Sequence, residues 1–172
     1  FNTIKPYLET IAPRGVAYVG EGDLARFCKI AHNVMLGVVI QNLAEITILA
    51  QKAGVPRHAF LNFMNNSVMG SIFTKYKSNA FTNLDWTTTF TTPLLLKDLD
   101  LGLQSGKELG VPMPVTAATR QAVQQHSGRI ERMAKENLEK DFGMLLESVA
   151  DGAGITLQPE NVPIPTGLET EE

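Results

Sequence analysis

The chain has 172 residues, 44% of them hydrophobic and 19% charged, with a net charge of −3. This is the make-up of one soluble globular domain, with room for a fragment of a second. No basic stripe or arginine run of the kind a nucleic-acid partner needs is present, and the single cysteine, Cys28, excludes an internal disulfide and suits a reducing, cytoplasmic setting.

In chain order, residues 2–12 pattern as one short amphipathic helix. After Pro13-Arg14-Gly15 the run Val16-Ala17-Tyr18-Val19 has the make-up of a short strand, closed by Gly20. From Asp23 the pattern turns helical. Leu24, Phe27, Ile30, Val34, Val38, Leu43, Ile46 and Leu49 recur at three- and four-residue spacing as far as Gly54. With Asp23 as N-cap and Gly54 as terminator, this predicts a helix of about 30 residues spanning roughly 45 Å. Its apolar residues cover much of its circumference, which places it in the middle of the domain or in a subunit interface. The stretch from Asn33 to Lys52 nonetheless carries Gln41, Asn42 and Glu45, so no membrane span is predicted, and no signal-peptide pattern opens the chain.

Two matching punctuation marks follow, Gly54-Val55-Pro56 and Gly110-Val111-Pro112. Each has a glycine to end one helix and a proline to begin the next. Between them helices are predicted near 56–65, 71–79 and 91–109, the last opening on Thr92-Pro93. Another runs from Pro114 and Thr116 to about His126. The charged stretch from Arg129 to Lys140 forms a solvated connector or short helix. A final helix begins near Asp141 and carries Phe142, Leu145, Leu146 and Val149 on one face. Residues 158–172, with their prolines and terminal glutamates, read as a tail.

The chemistry concentrates at the start of the long helix. Lys29 and Asn33, four residues apart, lie within about 40° of each other around an α-helix, so both can address one ligand. An ammonium beside a carboxamide can move a hydroxyl proton and hold a carboxylate. Lysine is ordinarily too basic to take a proton well at neutral pH, and burial beside a second cation is what lowers it. Gly37, one turn on, leaves space beside the pair. Taken alone, Lys29 is an ordinary surface lysine and Asn33 an ordinary packing asparagine. His32, His58 and His126 are scattered and share no ligand spacing with Cys28, so no metal site is indicated. Gly20-Glu21-Gly22-Asp23-Leu24-Ala25 has the form of a dinucleotide fingerprint. The helix after it runs on past Glu45, where the fingerprint requires a second parallel strand, and that reading is rejected.

Gly20-x-Gly22 followed by Lys29-x-x-His32-Asn33 resembles the active-site helix of the β-hydroxyacid dehydrogenases, the superfamily of 3-hydroxyisobutyrate dehydrogenase, tartronate semialdehyde reductase and the 6-phosphogluconate dehydrogenases. Phe90, Lys97-Asp98-Leu99-x-Leu101 and Gly110-Val111-Pro112-x-Pro114 resemble the same family's second signature. The resemblance covers about residues 15–150. It implies an all-α fold, a 6-phosphogluconate dehydrogenase C-terminal-like helical bundle with a long central helix. Residues 1–19 would be the last helix and strand of an N-terminal Rossmann domain, 20–157 the helical substrate and oligomerisation domain, and 158–172 the tail. A chain opening on Phe1 rather than Met fits a processed or truncated piece.

By the same resemblance Lys29 is the catalytic lysine, Gly22 and Asn33 bind substrate, and Lys97 reaches the cofactor side. The cofactor is NAD or NADP, the substrate a small hydroxyacid or semialdehyde, and the assembly a homodimer or homotetramer. His32 stands where the family usually has asparagine. Two other functions are open: a catalytically silent oligomerisation or binding module of the same fold, and imine reduction, which a lysine at position 29 disfavours.

Overall fold

The computed structural model describes residues 1–12 and 14–166. Among these residues seven α-helices form: α1 (Lys5–Ile11), α2 (Leu24–Lys52), α3 (Arg57–Asn65), α4 (Ile72–Asn83), α5 (Thr92–Leu109), α6 (Pro114–Met133) and α7 (Leu145–Gly152). Short 3-10 turns lie at Lys135–Glu139 and Phe142–Met144. The glycine punctuation works as expected. Gly54 and Gly110 take φ of +95° and +68°, the left-handed region that ends a helix at little cost only for a residue without Cβ.

Val16–Val19 forms no strand, and the described residues hold no sheet. A strand exists only where a neighbour takes its N–H and C=O groups, and none is offered here. α6 continues seven residues past His126, because Ser127 and Ile130 are buried and extend its apolar stripe. Asp23 sits at the start of α2, but its carboxylate takes a hydrogen bond from Arg26 instead of capping the helix.

The two halves of α2 differ. Its buried residues begin at Val34 and end at Ile48. In that half Ile40, Leu43 and Ala44 join Leu95, Leu99, Val123, Leu145 and Leu146 in one core, with α3, α5, α6 and α7 packed around the helix. By length and composition α2 could cross a membrane, yet its apolar second half is the axis of this bundle. Residues 24–33 project beyond the core and are exposed or half-buried.

Buried charge ties the rest together. The Lys77 and Asp141 side chains are almost fully buried and lie 2.6 Å apart. Asp141 also accepts hydrogen bonds from the backbone N–H groups of Thr89 (2.9 Å) and Gly143 (2.8 Å) and from the Thr89 hydroxyl. Burial alone would raise the Asp141 carboxyl, but the Lys77 ammonium and these hydrogen bonds outweigh it and hold it below the usual carboxylate range. The Lys77 ammonium also lies 4.3 Å from the centre of the Phe142 ring. Stripping one partner from such a pair costs about 3–5 kcal/mol.

The segment 158–166, expected within a tail, is fastened to the bundle. The buried Arg57 guanidinium donates to Phe81 O, Thr82 O and Gln158 O. The Glu160 carboxylate accepts from the first backbone N–H groups of α3, those of Arg57 (2.7 Å) and His58 (2.9 Å). Asn83 exchanges two hydrogen bonds with the Val162 backbone. Residues 167–172, the rest of the expected tail, lie outside the described residues.

His126 makes the fold sensitive to acid. Its ring is 2% exposed, and Nδ1 meets Ser148 Oγ at 2.7 Å. Burial, with the Arg129 charge nearby, pushes its pKa down to about 4. Between pH 6.5 and 4 the unfolded chain therefore binds a proton here that the folded chain refuses, so stability falls as pH falls through that window. The expected loss from this group is roughly 3 kcal/mol. Urea melts across the window should show this slope in the wild type and its disappearance in His126→Gln. An equal slope in both proteins contradicts the assignment.

Candidate active site

The projecting turns of α2 carry the residues singled out in the sequence. Gly20 and Gly22 lead into the helix with φ of +111° and +66°. A Cβ at Gly22 would meet nothing within 4 Å, so this glycine answers a backbone requirement and not a packing one. Lys29 is exposed and makes no hydrogen bond or ion pair among the described residues. Asn33, one turn further, is half-buried where the helix enters the core.

Asn33 meets α5 through Asp98, which the sequence offered only as part of the second signature. Its Nδ2 donates to Asp98 Oδ2 at 2.6 Å, while Lys97 Nζ lies 2.9 Å from Asp98 Oδ1. Asp98 is only 7% exposed, whereas the Lys97 side chain is 58% exposed. Asn33 Oδ1 in turn lies 2.9 Å from His32 Nδ1. A carboxylate can only accept, so Asp98 fixes which end of the Asn33 amide faces α5, and the carbonyl oxygen is left for the His32 N–H. The result is a continuous polar seam, Lys97–Asp98–Asn33–His32. It joins Asn33 and Lys97, two of the expected site residues, through one shared carboxylate. The Lys29 side chain stands beside the seam without a hydrogen bond or ion pair to it, and Gly22 lies apart in the entry loop.

The signal for Asp98 is visible in retrospect. It falls on the buried stripe of α5, with Leu95, Leu99, Gly102 and Gly106, so an acid there must find a partner in the core-facing direction. Phe90 behaves as a core residue, edge-on to Phe142 with ring centres 5.7 Å apart.

Two glycines let α2 and α5 approach closely enough for the seam to form. A Cβ on Gly37 would lie 2.9 Å from Leu99 Cδ2 and 3.0 Å from Leu95 Cδ1, and one on Gly102 would overlap Val34 Cγ2. An added Cβ must displace these side chains, and at Gly102 the obstacle is a stiff β-branched valine, so substitution there strains the crossing that aligns the seam.

The model of a family described as the NAD-binding domain of NADP-dependent 3-hydroxyisobutyrate dehydrogenase matches residues 23–151. The chain belongs to that family. Its described cofactor is a nicotinamide dinucleotide, in agreement with NAD or NADP as expected from the motifs. The 2-(hydroxymethyl)glutarate dehydrogenase of Eubacterium barkeri is 30% identical over 80% of this chain and 45% of its own length. The L-threonate dehydrogenase of Escherichia coli K12 is 27% identical over 68% of this chain and 39% of its own. The chain thus spans less than half the length of these two relatives. Among solved structures, a 3-hydroxyisobutyrate dehydrogenase of Mycobacterium tuberculosis superimposes with a TM-score of 0.68. It covers 86% of this chain and 50% of the other at 18% identity, which establishes a shared fold.

The helix crossing is directly testable. Gly102→Ala is expected to lower the free energy of unfolding by about 1–3 kcal/mol in urea. Gly128→Ala, on α6 with open space around its Cβ, should leave stability unchanged or raise it by about 0.5–1 kcal/mol. Equal effects of the two substitutions would show that the α2–α5 approach is not tight.

Proposed function

We propose that the chain is the helical substrate and oligomerisation part of an NAD(P)-dependent oxidoreductase that interconverts a β-hydroxyacid and its semialdehyde or keto form. In this reading residues 20–157 are the 6-phosphogluconate dehydrogenase C-terminal-like bundle, and 1–19 are the end of a Rossmann domain. The reading is supported by the family match and by the hydroxyacids named for relatives, 2-(hydroxymethyl)glutarate and L-threonate. The observation that carries it is the polar seam beside the exposed Lys29 amine, at the one end of α2 that the bundle leaves uncovered.

Each residue has a task that its surroundings allow. Lys29, free of partners, takes the hydroxyl proton on oxidation and returns it to the carbonyl oxygen on reduction. Asn33, its amide clamped by Asp98, places the substrate oxygen one helical turn from that amine. Gly22 keeps the entry to the site open to the substrate. Bound NAD or NADP supplies the hydride acceptor or donor.

Lys97 keeps ammonium N–H groups beyond the one facing Asp98, and it stands exposed at the end of the seam. It fits the amide or phosphate oxygens of a dinucleotide. The described residues hold no glycine-rich strand–turn–helix cradle for a pyrophosphate, so this part of the enzyme holds the cofactor at one edge only. The Lys29 amine stands in solvent, and its chemistry therefore requires a second body closing over this end of α2 and excluding water. On this account the 172 residues alone turn over no hydroxyacid. Homodimer or homotetramer assembly through the bundle belongs to the same proposal, supported by exposed apolar side chains such as Leu49 and Val115.

The exposure of Lys29 is also the observation that favours a catalytically silent oligomerisation module. Lys29→Ala in the full-length enzyme separates the two readings. Loss of about a hundred- to ten-thousand-fold in kcat, with the oligomer unchanged, is expected for a proton-transferring lysine. Retained turnover removes Lys29 from the mechanism and leaves the silent module.

A further inference from the structure

The corner between α3 and α4 is firmly held, yet it turns apolar side chains into water. Val68 is 98% exposed and Met69 68%, and Phe63 and Ile72 on either side of them in the chain are exposed too. The turn that carries them is tightly bonded. Ser67 Oγ donates to Met64 O and accepts from the Met69 N–H, the Gly70 N–H donates to Ser67 O, and Ser71 and Thr74 close a capping box at the start of α4. Gly70 lets the turn fold back on α3, since a Cβ there would overlap the Asn65 carbonyl. Loop tips are ordinarily built of small polar residues; one so fixed and so apolar is a contact surface.

Next to this knob is a hole. α2 and α4 border a cavity of about 450 Å³ lined by Met35, Leu36, Val39, Ile72, Phe73 and Tyr76. Ser71 also reaches it, but its hydroxyl is spent on the cap of α4. With so few polar groups turned toward it, the cavity suits aliphatic side chains better than a polar metabolite. Knob and hole lie side by side, because Ile72 and Phe73 follow the turn directly. A surface that carries both can meet itself across a two-fold axis, each knob in the other's hole. Charge favours the same occupant. Ala59 to Thr74 is part of the longest run in the chain without Asp, Glu, Lys or Arg, although 19% of all residues are charged. In a two-fold contact each charge near the axis faces its own copy, so self-docking needs an uncharged surface. Arg14 and His32, on the rim of the hole, would face the partner's turn, which follows the C-terminal, negative end of α3. The groove between α2 and α6, by contrast, carries the exposed Glu45, which a two-fold contact there would bring toward its own copy.

From these observations we infer that the α3–α4 corner is a self-association surface, in which Val68 and Met69 of one copy seat in the α2–α4 cavity of a second copy and the reverse. The inference deepens the homo-oligomer part of the proposed function and rests on that reading for assembly itself. It does not depend on the chemistry at Lys29.

Two measurements on the chain test it. Sedimentation velocity over a concentration series gives the Kd of the dimer. Val68→Asp should raise that Kd at least about a hundredfold, because an unpaired carboxylate must then enter an apolar cavity. Its far-UV circular dichroism should stay that of the wild type, since residue 68 is exposed in a single copy. Leu49→Asp, on the face of α2 outside the corner, should leave the Kd unchanged. In the second measurement Cys28→Ser removes the one native thiol, and chains carrying Met35→Cys are mixed with chains carrying Met69→Cys and oxidised. A disulfide joining one chain of each kind should form in excess of any formed by either variant alone. The inference is overturned by a dimer that Val68→Asp leaves intact or by absence of the mixed disulfide. A dimer broken by Leu49→Asp alone overturns the corner and leaves the assembly reading standing. A wild-type chain that stays monomeric at millimolar concentration overturns both and leaves the corner to a different protein.

Discussion

The close crossing of α2 and α5 is the constraint on which the rest of this structure depends. Gly37 and Gly102 remove side chains where the two helices meet, and Leu95, Leu99 and Val34 fill the space they vacate. The same approach brings a half-buried asparagine on one helix onto a nearly buried aspartate on the other. A hydrogen bond to an ionised acceptor in such surroundings is stronger than one in water, and leaving either group alone there is costly. Packing and polar pairing therefore specify the same helix register. The position of Asn33 relative to Lys29 is set by the core and not by the mobile tip of a loop.

The division of α2 into a packed half and a projecting half explains how one element serves two purposes. From Val34 onward it is the axis of a bundle whose outer parts are pinned by buried ions, Lys77 to Asp141 and the Arg57 guanidinium to three backbone carbonyls. Those contacts make the packed half hard to displace. The preceding ten residues extend from it like a cantilever, with α-helical geometry holding Lys29, His32 and Asn33 at set angles even though little touches Lys29. On the proposed function, this keeps the Lys29 amine both exposed to substrate and held in place by the helix.

Local signals account for what the sequence revealed. The glycines of the two Gly-Val-Pro marks and the period of α2 both depend on neighbours within a few residues, and both are written in the chain as a pattern. The family's two motifs likewise placed Lys29, Asn33 and Lys97 together, and the last two do share the Asp98 carboxylate. What stayed hidden depends on partners far away in the chain. Lys77 and Asp141 are 64 residues apart, and Glu160 caps a helix that begins about a hundred residues before it. Nothing near Glu160 distinguishes it from the solvated glutamates of a tail. Val16–Val19 fails in the opposite sense: its composition suits a strand, but a strand is a property of two segments, and the second is not among the described residues.

The central claim is that Asn33 acts in the site only as positioned by Asp98, so that the two form one functional unit. A double-mutant cycle on kcat/KM in the full-length enzyme, with Asn33→Ala, Asp98→Ala and the pair, measures this directly. The account predicts strong coupling, with the double variant hardly worse than Asn33→Ala alone. Additive losses from the two substitutions would contradict it.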